Sequence, residues 1–280
     1  IVKGTAQSKL DVSGGHTGAG IGGDGYSANC GSIMIDAAGS TINATGGNGG
    51  CGIGSGPDGL AGRITIKNGT VKAQGGDGDD TSNISAGAGI GSILSPYNDV
   101  IINGGSVSAI GGRTNRNGGS IQAYGIASSS LSSDGNSVTM TANSISGDTG
   151  KFNGVVWGEA GNEDVARVYG DATLTAPVEI GQTIRIPTGA SLTVPNLNYA
   201  NEGTITGGGM LIDPHHLTAG STGKLEIPMD NRRVSLTKND INVKSDLVYT
   251  GANLLETESI ITINKTRKEG GLTYQVDTSG

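Results

Sequence analysis

The side chains best suited to chemistry in this sequence are carboxylates and guanidinium groups placed in glycine-rich loops. Asp77, Asp79 and Asp80 lie in the string Gly75-Gly76-Asp77-Gly78-Asp79-Asp80, and Arg113 and Arg116 open the next long loop. Opposite charges on neighbouring loops pair with one another, a weak surface interaction that needs no ligand. The same groups along one ledge hydrogen-bond the hydroxyls of a glycan. Residue types alone leave both readings open. Trp157, the single Trp, sits near Glu159, Glu163 and Asp164. A flat indole beside polar groups suits stacking on a sugar face. Phe152 and Trp157 equally suit filling a junction between two kinds of repeat. The candidate carbohydrate contacts are Trp157, Asp77, Asp79, Asp80, Arg113 and Arg116.

Other chemistries find less support. Glycoside hydrolysis needs two carboxyl groups facing each other about 5 to 9.5 Å apart. Asp24 and Asp58 recur at one corner of two neighbouring repeats, where solvated turn carboxylates explain them better. The remaining acids, Asp99 and Asp134 among them, are expected in loops, with no acidic row across repeats. Gly75 to Asp80 fits the Gly-Gly-x-Gly-x-Asp calcium pattern, but in one copy, whereas that pattern binds through stacked copies. His16, His215 and His216 have no zinc-type spacing to Cys or acid. Adjacent His215 and His216 would point to opposite sides of a strand; a turn after Pro214 is the preferred setting. No P-loop, nucleophile elbow or dinucleotide fingerprint lies in a fitting context. No catalytic residue, metal ligand or cofactor is assigned.

The elements that must position these groups are short strands in a repeat. Glycine accounts for 52 of 280 residues, and only one Phe, one Trp and seven Tyr are present, which rules out a wide core of large side chains. Charged residues make up 15%, below the usual ~25%. Gly, Ser, Thr and Asn disfavour helix throughout. No apolar run reaches the ~18 residues of a membrane span, and glycine lacks the period of collagen. A net charge of −7 without a basic cluster argues against nucleic acid and anionic membranes.

One motif recurs: Gly18-Ala19-Gly20-Ile21-Gly22, Gly50-Cys51-Gly52-Ile53-Gly54, Gly87-Ala88-Gly89-Ile90-Gly91, and the weaker Ala123-Tyr124-Gly125-Ile126-Ala127. Each is followed by a second run (Ile33-Met34-Ile35, Ile64-Thr65-Ile66, Val100-Ile101-Ile102, Val138-Thr139-Met140). A third run comes next (Ile42-Asn43-Ala44, Val71-Lys72-Ala73, Val107-Ser108-Ala109, Ile145-Ser146), and Leu10-Asp11-Val12 reads as the third run of an earlier unit. Three alternating strands per unit with glycine corners predict an all-β right-handed parallel β-helix, with Ile21, Ile53, Ile90 and Ile126 in one ladder. Cys51 takes the slot of Ala19 and Ala88, and Cys30 aligns with Ala61. Both are read as small buried thiols, with a bridge possible only if the corners approach within ~7 Å. Two ten-residue insertions, 77 to 86 and 113 to 122, stack on one corner, where insertions in repeats form ledges.

The expected organisation is a β-helix over 1–228, Gly-rich over 1–149 and tighter over 165–228. A small β-sandwich-like module, read as whole or truncated, is expected over 229–280, where glycine thins and charge rises. The Gly-x-Gly-Ile-Gly units, the Ile-Thr-Ile run and Gly69-Thr70-Val71-Lys72-Ala73 resemble the β-helix regions of large surface proteins of Gram-positive gut bacteria. Ile180 to Val194 looks like the leucine-valine ladders of such proteins, and Ser245-Gly251 onward to Leu272-Val276 is similar to their small Ig-like repeats. The resemblance implies secretion, attachment to the cell surface through regions outside this chain, and adhesion or glycan contact. Partners would be host or dietary glycans or a cell-surface protein, met by a monomer. The resulting expectation is a non-enzymatic stalk or adhesive segment, with a polysaccharide lyase or glycoside hydrolase as the alternative.

Overall fold

The computed structural model describes residues 1–4, 7–93, 98–116, 119–158, 161–243 and 261–279. Glu159 and the quoted tail stretch 245–251 lie outside the described residues. Within them the chain is all-β, broken by three short 3-10 turns.

Alternation of side chains explains the strands. In Ile33–Thr45, Ile33, Ile35, Ala37, Ile42 and Ala44 are buried while Met34, Asp36, Thr41 and Asn43 reach solvent. β-branched residues fit such a pleated, half-buried surface. Neighbouring repeats pair in parallel with equivalent residues opposite one another. The first ladder runs Ile21, Ile53, Ile90, Ile126 and Ile145. The second runs Ile33, Ile64, Val100 and Leu131. The third runs Leu10, Ile42, Val71, Val107, Met140 and Val156. From Ile33 to Val156 these and their neighbours form one buried cluster. Each fully buried aliphatic side chain contributes about 1.5–3 kcal/mol.

The corners need glycine at one position per repeat. Gly22, Gly54 and Gly91 have φ of +140°, +144° and +118°. A Cβ on Gly22 would strike the Gly54 carbonyl, and one on Gly54 would strike that of Gly91.

The fourth unit departs from the expected assignment. Its second run is Ser130-Leu131-Ser132, paired with Asp99-Val100-Ile101, and Met140 takes the third-run place opposite Val107. Ile145 is no third run; it pairs with Ile126 and continues the first ladder. Leu131 is wholly buried, so it fills the second-run slot that Val138 was expected to take.

A reversal follows. The strand Ile145–Trp157 pairs in parallel with Ile126–Ala142 but antiparallel with Val165–Tyr169. The core also changes face there: Phe152 and Val156 belong to the first cluster, whereas Val155, Ala166 and Val168 belong to a second. Both faces of this strand are therefore buried. Beyond it, Val165–Tyr169, Thr183–Ile186, Thr204–Gly207 and Lys224–Glu226 stack in parallel. A companion sheet takes Asp171–Thr173, Ser191–Thr193, Met210–Ile212, Arg232–Ser235 and Leu272–Asp277. That sheet crosses residue 228 without a break. The segment beyond 228 nonetheless has its own small core of Val234, Tyr274 and Val276.

Candidate functional site

Glycine corners stack beneath the ledge. Gly47 N–H donates to Gly18 O at 2.8 Å, Gly76 to Gly50 O at 2.9 Å and Gly112 to Gly87 O at 2.9 Å. From this column the two inserted loops project and bind each other. Gly78 N–H donates to Arg113 O at 2.9 Å, Arg113 N–H to Asp77 Oδ1 at 2.8 Å, and Ala86 N–H to Thr114 Oγ1 at 2.8 Å. The second loop is a hairpin, Arg113–Arg116 against Gly119–Gln122.

Beside the ledge opens a polar cleft of about 340 Å³ lined by Gln74, Asp77, Arg113, Gln122, Asn143 and Glu163, with Ile110 among its walls. Its amides are fixed by the main chain. Asn143 Oδ1 accepts from Gly111 N–H at 3.0 Å and its Nδ2 donates to Ala123 O at 2.9 Å. Gln74 Nε2 donates to Gly75 O at 3.1 Å, and Gln122 Nε2 to Gly111 O at 3.4 Å. Side chains tied down in this way lose little freedom when a ligand arrives.

Of the six expected contacts, the structure brings Asp77 and Arg113 together in the cleft. Asp79 turns into its own loop, accepting from Thr81 Oγ1 at 2.6 Å, Thr81 N–H at 2.9 Å and Ser82 Oγ at 2.7 Å. The hydroxyls of Thr81 and Ser82 hold its carboxyl down at about 2. Asp80 is exposed on the same loop, outside the cleft lining. Arg116 contributes a strand position, and its side chain lies outside the described residues. Trp157 is half-buried and packs on the second core cluster, so it fills the junction. The loop after it, through Gly158 and Glu163, reaches the cleft in its place. Gln74, Gln122 and Asn143 were missed. The signal for two of them is register: Gln74 pairs with Ile110 at the end of the third run, one position beyond Ala109, whose partner is Ala142.

A second cleft of about 500 Å³ lies on the outer strand face, lined by Asp99, Ser130, Ser132, Asp134 and Lys151. Asp99 begins a strand instead of sitting in a loop, and Asp99, Ser130 and Asp148 share one row. Two acids thus share an outer row, but Ser130 separates them and Arg63 precedes Asp99, so the row is mixed and not an acidic ladder. Ser130 Oγ donates to Asp99 at 2.8 Å and Arg63 lies 3.4 Å away; both lower the Asp99 pKa. Asp24 and Asp58 are exposed, and Asp58 has φ of +58°, as turn carboxylates do.

His215 and His216 occupy the 3-10 turn Pro214–His216 with ring centroids 3.9 Å apart, so they lie side by side and not on opposite faces. Both cysteines are free. Burial pushes the Cys51 thiol up to about 11 and raises that of Cys30. Among the described residues no group of three or more His, Cys, Asp or Glu is arranged to hold a metal ion. No family model, curated protein or solved structure matches the chain. The cleft presents one guanidinium, two carboxylates and three carboxamides, a set suited to many directed hydrogen bonds to hydroxyl groups.

Proposed function

We propose that the chain is a right-handed parallel β-helix serving, without catalysis, as a stiff segment of a secreted bacterial surface protein, and that it holds carbohydrate in the Gln74–Glu163 cleft. The observation that carries this reading is the convergence of six polar side chains from successive repeats on one ledge. The proposed hand rests on a relation between the two stacks and on a general preference of parallel crossovers. The two stacks advance along one sheet, but strand direction and core face both reverse at Ile145–Trp157. A half-turn about the stacking axis performs both reversals, so the stacks share a hand, and parallel crossovers are right-handed in about 98% of cases. Repeats that touch only their neighbours make a stiff rod, as a surface spacer requires.

Support for binding over hydrolysis comes from the three carboxamides of the cleft, which are hydrogen-bond donors and acceptors for hydroxyls and not proton-transfer groups. One observation favours the hydrolytic alternative: Asp77 and Glu163 line the same cleft. A glycan array read for both retention and reducing-end release tests the two readings together. Retention that Arg113→Ala and Gln122→Ala each weaken about tenfold is expected. Release of reducing ends lost in Asp77→Asn and Glu163→Gln would establish the enzyme instead. Retention untouched by all four substitutions would remove the cleft from either account.

A further inference from the structure

The outer face of the second stack carries two arginines in register. Arg167 pairs with Arg185, and Arg185 with Thr206, across parallel strands; Glu226 follows Thr206 one strand further on. Adjacent strands stand about 4.8 Å apart, so the two guanidinium groups project side by side. Like charges directly opposite on a sheet are destabilising. Among the described residues the Arg185 guanidinium makes no ion pair. Arg167 stands over the Tyr169 ring, 5.3 Å from its centroid, which fixes its direction.

The pair lines a cleft of about 570 Å³ completed by Pro187, Thr188, Thr206, Gly207 and Gly208. A Cβ at Gly208 would come within 2.8 Å of Thr188 Oγ1, so a side chain there would press on the threonine hydroxyl that lines the cleft. Guanidinium forks match carboxylate and sulfate oxygens two at a time, and the threonine hydroxyls beside them suit the hydroxyls of a sugar ring. The whole chain is acidic, at −7, so no general field draws anions to it and the attraction is local. We propose that Arg167 and Arg185 form a second binding site that takes an acidic polysaccharide through the carboxylate or sulfate of its sugars. This site shares no residue with the Gln74–Glu163 cleft and stands or falls without it.

The test is affinity electrophoresis of the full chain in gels holding polygalacturonate, heparin or neutral dextran, with inorganic sulfate as a soluble competitor. Retardation by an acidic polymer and none by dextran is expected. Polygalacturonate alone assigns a carboxylate and heparin alone a sulfate. Arg185→Gln weakens retardation about tenfold, Arg185→Lys restores it in part, and Gly208→Ala weakens it with no change of charge. Arg185→Gln leaves the melting temperature unchanged, since the side chain it replaces is exposed. Arg113→Ala, in the other cleft, leaves retardation intact. Equal retardation of wild type and Arg185→Gln, each measured against its own mobility in a polymer-free gel, or no retardation of the wild type by either acidic polymer, overturns the proposal.

Discussion

Asp240 is only 2% exposed, yet it is charged and paired. Its Oδ2 accepts from Thr237 N–H and Oγ1, both at 2.8 Å, and from Arg267 Nη1 at 2.9 Å. Desolvation works against the charge, but Thr237 and Arg267 prevail and the pKa is lowered. A lowered carboxylate contributes stability above its unfolded pKa of about 3.9 and loses it as pH falls through the folded value. Arg267→Ala should cost about 2 kcal/mol in urea unfolding at pH 7, with the deficit shrinking as pH is lowered through the carboxylate range. His215 behaves in the opposite charge sense. Burial, and then the neighbouring His216, lower its pKa, while Asp213 and Glu269 act to raise it and Arg267 to lower it. The folded state prefers the neutral imidazole, so this contribution is complete above about pH 6.5 and lost as pH falls below it. The melting temperature should drop between pH 7 and 5.5, and His215→Gln should flatten that part of the profile.

Ladder residues act through their strands. Ile90 is wholly buried between Ile53 and Ile126, and its truncation to Ala should cost about 2–5 kcal/mol, read by chemical denaturation. Gly54→Ala should be at least as severe, because strain at φ +144° adds to a clash with the Gly91 carbonyl. These ladders were legible in the sequence, because isoleucine and glycine recur at matching positions in each unit. The fourth unit was misread since Val138-Thr139-Met140 alternates just as earlier second runs do, while Leu131 hides among serines. The switch of core face was written only in Val155-Val156, two adjacent apolar residues that break alternation. The cleft was half legible. Charge in the inserted loops pointed to Asp77 and Arg113, but the amides joined them through register, which composition does not carry.

At the scale of the molecule, stability is a sum over neighbours. Ile126–Ala142 and Ile145–Trp157 pair at nine positions across three shifts of register, while the last antiparallel pair, Thr266–Glu269 with Leu272–Asp277, lies at the edge of its sheet. Stacked repeats open from their ends inward. Amide exchange should therefore be slowest around Leu131, Met140 and Val155 and faster toward Lys9–Ser13 and Leu272–Asp277. Uniform protection along the chain would contradict a stack held by nearest neighbours.

The equivalence of partners across repeats also makes the molecule a ruler. Residues 21–52 meet 53–89 through the same kinds of residue that 53–89 offer to 90 and beyond. A second copy of 21–52, inserted in frame, would find the same partners above and below and lift everything after it by about 4.8 Å. None of the three clefts would change shape, since every residue that lines them follows residue 52. The distance from the first repeat to the ledge is thus a quantity that duplication can set in whole rungs.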